Sequence, residues 1–279
     1  MSESPSTERV TVSITDGVAD VRMNRPEKMN ALDQAMFRGL VDTGEQLAND
    51  PSVRCVVLSG EGRAFCAGLD FGTFQGMTDG SRERDRAEEG VRDITAPLPE
   101  HITHLGQQAA YTWTEMPVPV IAAVSGVALG GGAQIALGAD MRIMAPDARI
   151  SILEIRWGLI PDMTGTRQLV RLVGLDRAKE MVFTGRMIEG DEAVQVGMAT
   201  KVAADPRAAA LELAAEIAGK NPYAIRASKR LLEAVGDLET ADAFQNERNE
   251  ISQLIGSPNQ VESVMAFFEK RDPNFTDPA

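Results

Sequence analysis

The sequence has 279 residues, 43% hydrophobic, 25% charged and 5% aromatic, with a formal net charge of −13. This composition suits a globular chain, and the acidity argues against a nucleic-acid partner; Arg82, Arg84 and Arg86 alternate with Glu83, Asp85 and Glu88 rather than forming a basic stripe. Two cysteines are too few for a disulfide framework, MSESPSTERV carries no apolar secretory segment, and no run nears ~18 apolar residues. A cytoplasmic protein with no membrane span is expected.

In chain order, Val10, Val12 and Ile14 alternate, Asp16-Gly17 supplies a tight turn, and Ala19, Val21 and Met23 alternate again, which predicts a β-hairpin. NRPEKMNAL leads into a helix with Asp33 as its N-cap and Met36, Phe37, Leu40, Val41 and Leu47 on its apolar face. VRCVVLSG (Val53–Gly60) is a short buried strand, followed by EGRAFCAGLDFGTF, a loop of small residues. Gly76 to Glu100 is polar, contains Pro97 and Pro99, and predicts a surface excursion. PVPVIAAVSG (Pro117–Gly126), MRIMA (Met141–Ala145) and ARISI (Ala148–Ile152) are further strands, so an α/β fold with largely parallel pairing is expected. From Pro206 four successive patterns opened by Pro or closed by Gly predict helices. The boundary expected between core and helical region puts residues 1–205 in one and 206–279 in the other.

Three consecutive glycines, Gly130 to Gly132, stand directly before a helix-forming run. Glycine disfavours helix, so the backbone there must either turn tightly or approach something closely. His101 and His104 form an H-x-x-H without a third ligand, so no metal site is expected, and surface positions are predicted for both. No Walker motif or dinucleotide fingerprint is present. What remains is two strand–small loop–helix units, Ala64–Phe71 and Ser125–Leu137. Each can turn backbone N–H groups outward, and two converging donors make an oxyanion hole.

LSGEGRAFCAGLD, PVPVIAAVSGVALGGG, ISILEIRWGLIPDMTGTRQLVRLVG and FFEKRDPNF, in this order from about Val10 to Phe275, resemble the crotonase superfamily, the enoyl-CoA hydratase/isomerase group. The resemblance implies a core of repeated ββα units with a C-terminal helical region used in assembling trimers or dimers of trimers. It also implies an acyl-CoA thioester substrate, with CoA entering as part of that substrate and no separate cofactor. Carried over by position, the oxyanion donors are the N–H groups of Leu69 and Gly131.

Hydratase-type members use two glutamates. The second is matched by Glu154, whereas the first position holds Gln134, an amide that cannot act as a base. Asp162, eight residues after Glu154, resembles the acid of the dienoyl-CoA isomerase branch; it also suits a helix cap near Thr164. Glu154, Asp162 and Gln134 are therefore the candidate catalytic residues, and double-bond isomerisation is expected over hydration. Hydration by a single carboxylate is the alternative, and a non-catalytic CoA- or RNA-binding relative is a third reading. Lys28 in NRPEK and Lys270 or Arg271 near the C-terminus are candidates for CoA phosphates. Cys66, Leu69, Asp70, Phe71 and Gly72 are expected to border the CoA path, with Cys66 as a small wall residue rather than a nucleophile. The Gly76–Glu100 segment and the residues around Trp113 and Trp157 are expected to shape the acyl pocket.

Overall fold

The computed structural model describes residues 8–70, 72 and 96–278. Alternation along the first segment produces strands β1 (Val10–Thr15) and β2 (Val18–Met23), paired antiparallel around Asp16-Gly17 as expected. A single 3-10 turn (Pro26–Lys28) then leads to helix α1 (Gln34–Ala48). Asp33 caps α1 by accepting from the Met36 N–H at 2.8 Å, which satisfies one of the helix's orphan donors. Strand β3 (Cys55–Gly60), helix α2 (Leu105–Glu115), strands β4 (Val120–Val124) and β5 (Val127–Leu129) and helix α3 (Gly131–Gly138) follow. After them come β6 (Met141–Met144), β7 (Arg149–Ser151), a 3-10 turn at Glu154–Trp157, and helices α4 (Gly165–Val173) and α5 (Leu175–Thr184). Strand β8 (Ile188–Glu189), helix α6 (Gly190–Gln195) and strand β9 (Lys201–Val202) complete the part before the four C-terminal helices. Those are α7 (Pro206–Ala218), α8 (Pro222–Glu233), α9 (Thr240–Leu254) and α10 (Pro258–Glu269).

Six strands form one sheet in the order β1-β2-β3-β4-β6-β9, parallel from β2 onward, and β5-β7-β8 form a second. Consecutive strands β4 and β5 therefore enter different sheets before α3, and β6 and β7 repeat the move before α4. This is the repeated ββα unit that the resemblance implies. Both faces of the larger sheet are covered, which is why β3 is apolar without alternation. Val56 and Leu58 face the main core, while Cys55 and Val57 meet Ala210 and Ala214 of α7.

The structure departs from expectation around residues 101–113. His104 is a half-buried N-cap of α2: its Nδ1 accepts from the Gly106 and Gln107 N–H groups, and Gln107 reaches back to the His104 N–H. The polar residue followed three positions on by Gln is a capping-box pattern that the sequence already displayed. Half-buried His101 faces Glu45 across 3.2 Å. Trp113 does not shape a pocket; it is fully buried in the core, donating to the Ala109 carbonyl. Among the described residues no helix is long and apolar enough to cross a membrane, and no cluster of side chains suits a metal ion.

Candidate active site

Two loops meet at the ends of parallel strands. The Cys66 N–H donates to the Val127 carbonyl at 3.0 Å, and the Leu129 N–H donates back to the Cys66 carbonyl at 2.9 Å. Leu32 clasps the same loop from the other side, donating to Gly68 and accepting from Asp70. So close an approach requires glycine. Gly68 has a φ of 86°, and a Cβ there would lie 2.6 Å from the Leu129 carbonyl oxygen. A Cβ on Gly132 would lie 2.5 Å from that of Cys66. The glycine run is therefore first a packing requirement between loops.

It also frees donors. Gly131 opens α3, so its N–H has no partner within the helix, and the helix dipole adds partial positive charge there. Among the described residues neither this N–H nor that of Leu69 makes a hydrogen bond. Both residues line a cavity of about 1000 Å³. Its walls are mainly apolar, with Phe37 and Val41 from α1, Leu105 from α2, and Trp157, Met163 and Met187 among the rest.

Glu154, Gln134 and Asp162 line the same cavity. Glu154 starts the 3-10 turn after β7 and is 8% exposed. Its Oε1 accepts from Gln134 Nε2 at 2.6 Å, while its Oε2 is buried without a partner. Burial, and secondarily the charge of Asp162, push its carboxyl above the usual range against the pull of its own backbone N–H and Gln134. Asp162 is exposed and makes no hydrogen bond among the described residues. It does not cap α4; Thr164 holds that position, with no side chain capping the helix.

The other expected binding residues that are described lie apart from the cavity wall. Cys66 donates from Sγ to the Asn30 carbonyl at 3.1 Å, and burial pushes its thiol up to about 12. Asp70 pairs with Arg25 at 2.7 Å and accepts from the N–H of exposed Gly72 at 2.8 Å. Burial opposes ionisation of Asp70, yet these bonds and the charges of Arg25 and Lys28 hold its carboxyl below the usual range. Lys28 itself is exposed, as is Lys270, which closes α10 in a left-handed conformation. Arg271 is committed within its own chain, to Glu262 at 2.5 and 2.9 Å and to Glu269 at 2.6 Å. Phe71 and most of the Gly76–Glu100 segment lie outside the described residues.

Two residues that organise the site had no signal of their own in the sequence. Asn30, fully buried with φ 55°, accepts from the Arg25 N–H and donates to the carbonyls of Glu61 and Ala64, tying the NRPEKMNAL segment to the loop after β3. Arg25 then reaches Asp70 across that junction.

The profile of the family described as enoyl-CoA hydratase/isomerase matches residues 13–278, and the chain belongs to that family. The mouse protein named enoyl-CoA hydratase domain-containing protein 2, mitochondrial, is 34% identical over 266 residues, covering 93% of this chain and 84% of that protein. The short-chain-enoyl-CoA hydratase of Clostridium acetobutylicum is 32% identical over 259 residues, 91% of this chain and 92% of that one. The crystal structure of an enoyl-CoA hydratase from Bacillus anthracis superposes with a TM-score of 0.84 at 30% identity, covering 96% of this chain and 98% of that chain.

Proposed function

We propose that the protein binds an unsaturated acyl-CoA thioester and moves its double bond through an enolate. The thioester oxygen accepts from the N–H groups of Leu69 and Gly131, which hold the negative charge that develops there. Glu154 takes the proton from the carbon next to the carbonyl, the double bond shifts into conjugation, and a proton is returned further along the chain. Asp162, on the same cavity, is the second acid available for that return. The observation that carries this reading is the pairing of one buried carboxylate with an amide, Gln134, where a second carboxylate would otherwise help hold and deprotonate water.

Hydration is the second reading, favoured by the names of the relatives. Product analysis with 2-enoyl-, 3-enoyl- and 3,5-dienoyl-CoA thioesters separates the two. Migration faster than water addition is expected; water addition faster than migration would overturn the preference. Because Asp162 caps no helix, Asp162→Asn tests its chemistry rather than its packing. Migration is expected to slow by ~10²-fold or more, and an unchanged rate would leave Glu154 as the sole acid–base group.

The C-terminal helices carry exposed Leu232, Phe244, Ile251, Ile255, Phe267 and Phe268. So much apolar surface on a soluble chain favours burial between copies, and we place a trimer or a dimer of trimers there. Light scattering at micromolar concentration should give at least three chains per particle; a monomer would refute the assembly.

A further inference from the structure

The turn Met163–Gly165 has a feature that proton transfer by Glu154 leaves unexplained. Thr164 has a φ of 69°, a left-handed conformation that is strained for a β-branched residue, and its Oγ1 is buried without a partner. This conformation directs two flanking N–H groups to one point. Those of Met163 and Gly165 both donate to Gln134 Oε1, at 2.8 and 3.1 Å. Since both are donors, the atom they meet is the amide oxygen, and the NH2 group must face Glu154. It does so at 2.6 Å from Oε1. Gln134 is 1% exposed, and a Cβ on Gly165 would stand 2.6 Å from its Cγ, so the amide has no room to turn.

We propose that Gln134 is a positioning residue: clamped by the Thr164 turn, it ties down Oε1 of Glu154 and leaves Oε2 as the oxygen of Glu154 that takes up the proton. The proposal rests on Glu154 being the base of the reaction above. An N–H aimed at Oε1 keeps that atom an acceptor in both protonation states, because a proton placed on it would oppose the amide hydrogen. The proton then has a single address, the unpartnered Oε2. The carboxyl is also prevented from rotating its two oxygens past the substrate. Among the described charged groups, Asp162 is the one whose field reaches Glu154, and the neutral Gln134 contributes no charge.

The test compares kcat, KM and the pH profile of wild type with three variants, using whichever acyl-CoA substrate the wild type turns over. Gln134→Met fills a similar volume without a donor. It should lower kcat by about 10- to 100-fold with KM little changed, and should move the acid limb of kcat/KM to higher pH. Gly165→Ala keeps every hydrogen-bonding group but displaces the amide, and should change kcat and the acid limb in the same direction. Gln134→Glu keeps the acceptor at the turn and, while protonated, the donor to Glu154. Its activity should exceed that of Gln134→Met at low pH and fall as the new acid ionises. A wild-type kcat and acid limb in Gln134→Met, or a loss confined to KM, would overturn the proposal. Should that variant fail to fold, wild-type behaviour in both Gly165→Ala and Gln134→Glu would overturn it equally. Failure of the underlying reading looks different: Glu154→Gln would then retain activity, whatever happens at position 134.

Discussion

Glu154→Gln should lose turnover by ~10³-fold or more while keeping its fold and its affinity for CoA. The substitution preserves shape and leaves an oxygen to accept from Gln134, so only the capacity to hold a proton disappears. Its effect on stability has a definite sign. Burial raises the Glu154 carboxyl above its unfolded value, so its contribution to stability is fully present below the ordinary carboxylate range and is lost as pH rises through the folded value. Above its folded value the wild type holds a buried charge that the amide variant lacks. In that range the variant should therefore melt at the same temperature as the wild type or higher, and the gap should close in acid. The same raised value sets the activity: kcat/KM of the wild type should increase with pH as Glu154 ionises. Turnover within a few-fold of wild type, in a variant shown to be folded, would move the base elsewhere.

Gly132→Ala should damage catalysis without touching any group that contacts substrate. Its Cβ would lie 2.5 Å from the Cys66 carbonyl oxygen, 2.7 Å from Cys66 Cβ and 2.8 Å from Sγ. The first of these is backbone, fixed by its bond from the Leu129 N–H, so the two loops must separate. Overpacking of this kind typically costs ~1–3 kcal/mol. Separation also misaligns the Leu69 and Gly131 donors, and loss of one such donor typically lowers the rate by ~10²–10³. A folded Gly132→Ala enzyme with wild-type kcat would show that the pair does not act on a common oxygen.

Most of the fold could be read in the sequence because it follows from local patterns. The hairpin, the Asp33 cap, the buried β3 strand and the Pro-opened C-terminal helices each rest on neighbouring residues. Glu154, Leu69 and Gly131 were assigned by carry-over from the family resemblance, and the structure brings them to one cavity. Less legible was whatever depends on distant partners. Nothing about Trp113 in sequence tells a core indole from a pocket wall. The sequence allows Asp162 as the cap of the helix that follows, and only the backbone, which puts Thr164 at the N-cap, excludes it. The function of Gln134 depends on N–H groups 29 and 31 residues away. Asn30 is a similar case, since a left-handed Asn bridging three backbones looks like any loop Asn until those backbones are in place.

The placement of Cys66 bears on a side reaction that a thioester substrate would invite. A thioester is an acyl donor, and a thiolate beside its carbonyl would accept the acyl group and release free CoA. Cys66 belongs to the loop that presents Leu69, yet its sulfur is turned to the Asn30 carbonyl and packed against Gly132. With its thiol, like that of Cys55, pushed up to about 12, roughly one molecule in 10⁵ carries the thiolate at pH 7. Under the proposed function, a bound thioester would thus keep its acyl group rather than pass it to this sulfur. The same burial shields both cysteines from peroxide and alkylating reagents, so the native chain offers a thiol-silent background for a single engineered label.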